Sequence, residues 1–283
     1  MRPPHTLAEA EHDGYPALRL GSPAGLTATY VPTAGMVCAS LTHHGDELLG
    51  QRQGLGAYAV HGSTMGIPLL HPWANRLARM GYRAGDAVVE FPPGSPIVHD
   101  VGDGLPIHGL LAGCPDWRVT GRTADAEAAR IEAELDVGGL PDVLALFPFP
   151  HQIRLAATLQ GRSLTVTTTV RATGPVAVPI AFGYHPYFRL PGVPRPRWEV
   201  TLPVRRRMRL DARHLPTGEV EMVHIPPGPL GERTYDDLFV ELDPEPTFRL
   251  AGGGRTISVV FGEGYHVAVI YAPATTTSSA SSP

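Results

Sequence analysis

The stretch AFGYHPYFRL (181–190) places one titratable imidazole, His185, between Tyr184 and Tyr187 in otherwise apolar and aromatic surroundings. A histidine with an ordinary pKa near ~6.5 gives and recovers a proton near neutrality, while a buried one needs a hydrogen-bond partner. The stretch therefore reads either as a satisfied core histidine or as a proton donor in a site. Three further stretches carry polar groups of the same kind. GIPLLHPWANRLARMGY (66–82) is an apolar run ending in Trp73, Asn75 and Arg76. An arginine there points inward as a multi-donor fork, suited to a carboxylate or to ligand hydroxyls. LPIHGLLAGCPDW (105–117) sets His108 between Ile107 and Gly109, and TYDDLFVEL (234–242) sets Asp236 and Asp237 before Leu238 and Phe239. Each stretch, taken alone, is equally compatible with a structural role.

Other chemistries lack their residues. The 23 basic side chains are all arginine, so Schiff-base catalysis, pyridoxal-phosphate chemistry and a P-loop are excluded. Cys38 and Cys114 give neither a disulfide framework nor a zinc spacing. The thirteen histidines include no H-x-x-x-H and no H-x-H, so no metal is expected. There is no G-x-S-x-G turn, and AGGGRT (251–256) reads as a turn between strands rather than a dinucleotide loop. RRRMR (205–209) reads as a solvated strand face, with a phosphate contact as the alternative.

The elements that must position these groups are strands. SLTVTTTVRA (163–172) alternates Leu164, Val166, Thr168 and Val170 with threonines. DAVVEFP (86–92), FPHQIRLAATLQ (149–160), RWEVTLPV (197–204), RTISVVFG (255–262) and YHVAVIYAP (265–273) read the same way. Gly and Pro together make 62 residues, from 32 and 30, scattered without a period, and they cut the chain into short segments. TADAEAARIEAEL (123–135) has helical composition but too few large apolar residues for a stripe, so a helix and an exposed strand pair both stay open. A large all-β antiparallel assembly is expected.

The length of 283 residues suits one large β domain, here expected over 1–273, with a low-complexity, disordered tail over 274–283. Net charge is −4, which suggests neither a nucleic-acid nor a membrane partner. No apolar run approaches a membrane span and the start lacks a secretory pattern, so a cytoplasmic location is the default expectation. Oligomeric state is left open between monomer and homodimer.

The joint order of the motifs is more specific than any one of them. P-W-A-N-R, then I-H-G with a tryptophan shortly after, then G-Y-H-P-Y-F, then D-D-x-F resembles the aldose 1-epimerase (galactose mutarotase) family over about residues 15–273. The resemblance implies a large antiparallel β-sandwich, the supersandwich, and an isomerase of carbohydrate metabolism that interconverts the α and β anomers of a free aldose such as galactose or glucose. It implies a small-molecule monosaccharide as partner and no cofactor or metal. His185 matches the general acid, and His108 the second histidine on the ring-oxygen side. Arg76, beside Asn75, matches the arginine that holds sugar hydroxyls, and Asp236, with Asp237 as register alternative, the sugar-binding aspartate.

The sequence departs from the family at one point. The resemblance implies a general-base glutamate on a strand near the C-terminus, but no Asp or Glu follows Glu263, and Val269 stands near the place of a common glutamine. Three readings stay open: a truncated or frame-shifted product, a sugar-binding relative without catalysis, or another carboxylate (Asp236, Asp237 or Glu263) acting as base. A hexose-6-phosphate mutarotase is a further alternative, and it would need a basic subsite.

Overall fold

The computed structural model describes residues 4–274, so apart from Ala274 the expected tail lies outside the described residues. The chain is all-β, with 48% strand and 7% helix, and all the extended strand pairings are antiparallel. It divides between Arg189 and Leu190 into two compact units.

The first unit contains a five-stranded meander, Thr6–His12, Tyr15–Gly21, Leu26–Val31, Val37–His43 and Asp46–Glu47, paired in sequence order. Val31, Val37 and Ala39 from it pack on Leu55, Tyr58 and Met65, all fully buried. A four-stranded sheet orders Ser163–Ala172, His151–Gln160, Ala129–Asp136 and Arg118–Ala124. The ambiguous alanine- and glutamate-rich segment is here a hairpin. Ala129, Ile131, Ala133 and Leu135 are buried on one face while Arg130, Glu132 and Glu134 take the other, the two-residue period of a strand. Alanine fits either structure; the alternation of Ile131 and Leu135 with charges decides for the sheet. Opposite them lie Ile153, Leu155, Ala157 and Leu159, also buried.

The second unit has two four-stranded sheets. One orders Gly228–Pro229, Glu199–Thr201, Thr247–Gly252 and Arg255–Val260; the other orders Pro216–Met222, Val204–Leu210, Tyr235–Leu242 and Ala268–Ala272. Phe239, fully buried, packs with Val204, Phe248 and Ala268. The AGGGRT stretch is a hairpin turn as expected, with Gly253 and Gly254 at φ +59° and +75°. The single strand expected over 197–204 is broken: Glu199–Thr201 ends before Pro203, which has no N–H for a ladder, and the next strand starts at Val204. In RRRMR every arginine has a carboxylate: Arg205 meets Asp243 (2.6 Å), Arg206 Glu241 (3.8 Å), Arg207 Glu221 and Asp237, and Arg209 Glu219 and Glu221. That run is a charge-paired strand face.

Candidate active site

The first unit gathers three short segments. Leu69–Leu70 pairs with Gly183–Tyr184, which sets the approach to Asn75 and Arg76 beside the approach to His185. The carbonyl of His71 accepts from the N–H of Leu110 at 2.8 Å, and His71 bridges Gly109. Gly109 has φ +81°, and a Cβ there would lie 2.1 Å from the His71 oxygen. The glycine of I-H-G is thus required by a backbone-to-backbone approach that no side chain permits.

Asn75 and His108 lace the first two segments together. The N–H of His108 donates to the Asn75 carbonyl at 3.0 Å, and the N–H of Asn75 donates to His108 Nδ1 at 3.3 Å. Both residues have left-handed backbones, φ +61° and +63°. Asparagine tolerates this region; for histidine it is uncommon and costs free energy, a feature that clusters at functional sites. The side chain of Asn75 accepts from the N–H of Arg76 at 2.9 Å, which fixes the turn. Arg76 Nε donates to Asp103 at 2.9 Å, so the arginine fork is already half engaged by a carboxylate.

His185 comes from the third segment. Its ring meets that of His108 edge-on, with centroids 5.5 Å apart and planes at 88°, and stacks on Tyr187 at 4.2 Å and 9°. Just past the Gly183–Tyr184 strand, the N–H groups of His185 and Tyr187 donate to the carbonyls of Pro68 at 3.3 Å and Gly66 at 3.0 Å, which holds the two rings side by side. Arg52 donates to Tyr187 Oη at 2.7 Å, with its guanidinium 5.0 Å from the ring centroid, and Thr64 Oγ1 lies 2.7 Å from the same oxygen. Tyr187 Oη is also 3.3 Å from His185 Nε2.

The site's electrostatics follow from burial. Desolvation lowers His108 to about 3, aided by the charges of His185, Arg76 and Arg52. Desolvation lowers His185 to about 4; a backbone hydrogen bond opposes the shift and Arg52 adds to it. The ordinary histidine pKa expected from sequence is therefore not what these rings have: at neutral pH both are uncharged. Because His108 Nδ1 accepts from Asn75, the single hydrogen of neutral His108 sits on Nε2. His108 thus offers an N–H donor, and His185 presents a ring that binds a proton only when something offsets its desolvation.

Of the residues expected from sequence, Asn75, Arg76, His108 and His185 come together here. Asp236 and Asp237 lie on Tyr235–Leu242 in the second unit. Asp236 is exposed, with His214 at 3.2 Å, and Asp237 is held by Arg207 at 3.1 Å. As neighbours in a strand they face opposite sides, so only one of them can serve a given pocket. Glu263 is exposed in a turn. Sequence reasoning did not single out Arg52, Thr64 or Asp103, and it named Tyr187 as a neighbour of His185 without giving it a role. Among the described residues no three His, Cys, Asp or Glu side chains gather as metal ligands, and no helix is long and apolar enough to cross a membrane.

The family model for aldose 1-epimerase matches residues 16–282. No curated protein matches the sequence. A galactose mutarotase-like protein from Clostridium acetobutylicum has a similar fold, with a TM-score of 0.76 at 20% identity over 95% of this chain and 84% of that one. The galactose 1-epimerase of Lactobacillus acidophilus gives a TM-score of 0.67 at 16% identity, over 88% and 77%. A GalM/aldose epimerase homologue from C. elegans gives 0.65 at 18%, over 94% and 81%.

Proposed function

Since the chain belongs to the aldose 1-epimerase family, we propose that it interconverts the α and β anomers of a free aldose such as galactose or glucose at the His108–His185 pair. The observation that carries this reading is the edge-on contact of those two imidazoles at 5.5 Å, beside an arginine fork and behind a stacked tyrosine. His108 Nε2–H donates to the ring-oxygen side of the sugar and Arg76 binds hydroxyls. A carboxylate base removes the proton of the anomeric hydroxyl, the C1–ring-oxygen bond breaks, and its electron pair takes a proton from protonated His185. The open aldehyde rotates about C1–C2 and closes on the other face with the roles reversed.

This chemistry needs His185 protonated. A carboxylate brought against His185 would raise its pKa by charge and could also accept the hydroxyl proton, so one group would serve both halves of the reaction. The sequence resemblance, not the placement of any strand, offers Asp236 or Asp237 for sugar binding and Asp236, Asp237 or Glu263 for the base, and single alanine variants separate them. The test is polarimetry of freshly dissolved α-galactose or α-glucose: mutarotation faster than buffer supports the proposal, and the buffer rate refutes it.

A second reading is sugar binding without turnover, favoured by the burial that lowers the pKa of His185 and leaves its ring uncharged at neutral pH. It predicts a calorimetric binding signal with no gain in rate. A phosphorylated aldose would need a basic subsite, and the arginines of 205–209 are matched by carboxylates.

A further inference from the structure

A second pair of imidazoles lies in the same unit, and the reaction above does not use it. His71 is 1% exposed and His151 fully buried, and their Nε2 atoms are 2.8 Å apart. Phe147 stands edge-on to both rings, at 6.1 and 5.7 Å between centroids, and Phe182 lies 5.9 Å from His71. The hydrogens can be placed by elimination. His151 Nδ1 is 2.6 Å from the Phe149 carbonyl, which only accepts, so Nδ1 carries hydrogen. Burial in an aromatic cage keeps both rings uncharged, His71 at about 3 through desolvation and then the neighbouring His151. His151 Nε2 is then a bare acceptor, and His71 Nε2–H donates to it. His71 Nδ1 is left as a buried lone pair without a partner.

The backbone of His71 is where the site's segments meet. Its carbonyl holds Leu110, two residues past His108, and the chain reaches Asn75 and Arg76 within five residues. Its ring touches Phe182, which leads into Gly183, Tyr184 and His185. We propose that the His71–His151 hydrogen bond is a positioning element that fixes the distance and angle between His108 and His185. A pair of apolar side chains would pack there in several rotamers; a directed N–H···N bond with one tautomer on each side admits a single arrangement. The inference rests on the acid/base reading only for what the positioning serves.

Three variants test it. His71→Leu removes the donor, His151→Asn keeps the bond to Phe149 but removes the acceptor, and His71→Gln retains an N–H donor near the same place. The first readout is the ¹⁵N signal of His108 Nδ1, which reports its bond from Asn75; the second is the split of kcat and KM by polarimetry. Positioning predicts that His71→Leu and His151→Asn shift the Nδ1 signal and lower kcat about tenfold or more with KM little changed, while His71→Gln restores both. Wild-type Nδ1 signals in folded His71→Leu and His151→Asn would overturn it. If His71→Leu fails to fold, His151→Asn against His71→Gln decides. If the wild type has no turnover, the acid/base reading fails and the ¹⁵N arm alone decides the positioning.

Discussion

Asn75 and His108, 33 residues apart, bond to each other in both directions, N–H to carbonyl at 3.0 Å and N–H to imidazole Nδ1 at 3.3 Å, each on a left-handed backbone. The pair sets the tautomer of His108 and joins the turn bearing Arg76 to the loop bearing the histidine. The left-handed backbone at Asn75 should show in stability. Asn75→Gly and Asn75→Ala both lose the side-chain bond to Arg76, but only alanine meets the Cβ penalty. The glycine variant should be the more stable by about 1 kcal/mol in urea unfolding. The reverse order would mean that the backbone there is not left-handed.

Gly109→Ala should be far more disruptive than either, because its Cβ would sit 2.1 Å from the His71 carbonyl oxygen. The backbone must shift, breaking the Leu110 bond that holds the His108 loop. We expect a loss of more than ~3 kcal/mol or failure to accumulate as folded protein. A variant with the wild-type urea midpoint would show that the two segments are not in contact.

Much of this was readable in advance, for identifiable reasons. The alternation in Ser163–Ala172 states its own period, and the whole segment is a strand. Ala129–Asp136 was ambiguous because alanine and glutamate favour helices locally, whereas burial against Ile153 and Leu155 is a long-range fact. Asn75, Arg76, His108 and His185 were legible because their motifs come in a specific order. Arg52 was not: its bond to Tyr187 spans 135 residues, and nothing around Q-R-Q announces it. The lowered pKa values were likewise out of reach, since desolvation is a property of the folded pocket.

Stability should depend on pH through the buried histidines. His108, His185 and His71 have folded pKa values of about 3, 4 and 3, below their ordinary 6.5. The unfolded chain therefore binds more protons between those limits, so stability rises with pH across about pH 4 to 6.5 and is lost as pH falls through that window. The slope should approach about 1.4 kcal/mol per pH unit for each such histidine near pH 5. Urea midpoints measured from pH 7.5 to 4.5 should fall accordingly, and less steeply in His185→Gln. A flat profile would mean that these rings are not desolvated.

Arg52 lowers both site histidines by its charge. In Arg52→Gln the His185 titration midpoint, followed by imidazole NMR, should move upward. If activity requires protonated His185, the pH at which turnover declines should move the same way. A midpoint that stays fixed or moves down would remove Arg52 from the site's electrostatics.

The central claim is that His185 delivers the proton that opens a pyranose ring. Saturation transfer between the α and β anomeric protons of galactose at neutral pH reads that exchange at C1 itself. The account predicts exchange well above the buffer rate with wild-type protein and the buffer rate with folded His185→Ala. Exchange that persists in the variant, or that never exceeds buffer in the wild type while the sugar is bound, would contradict it.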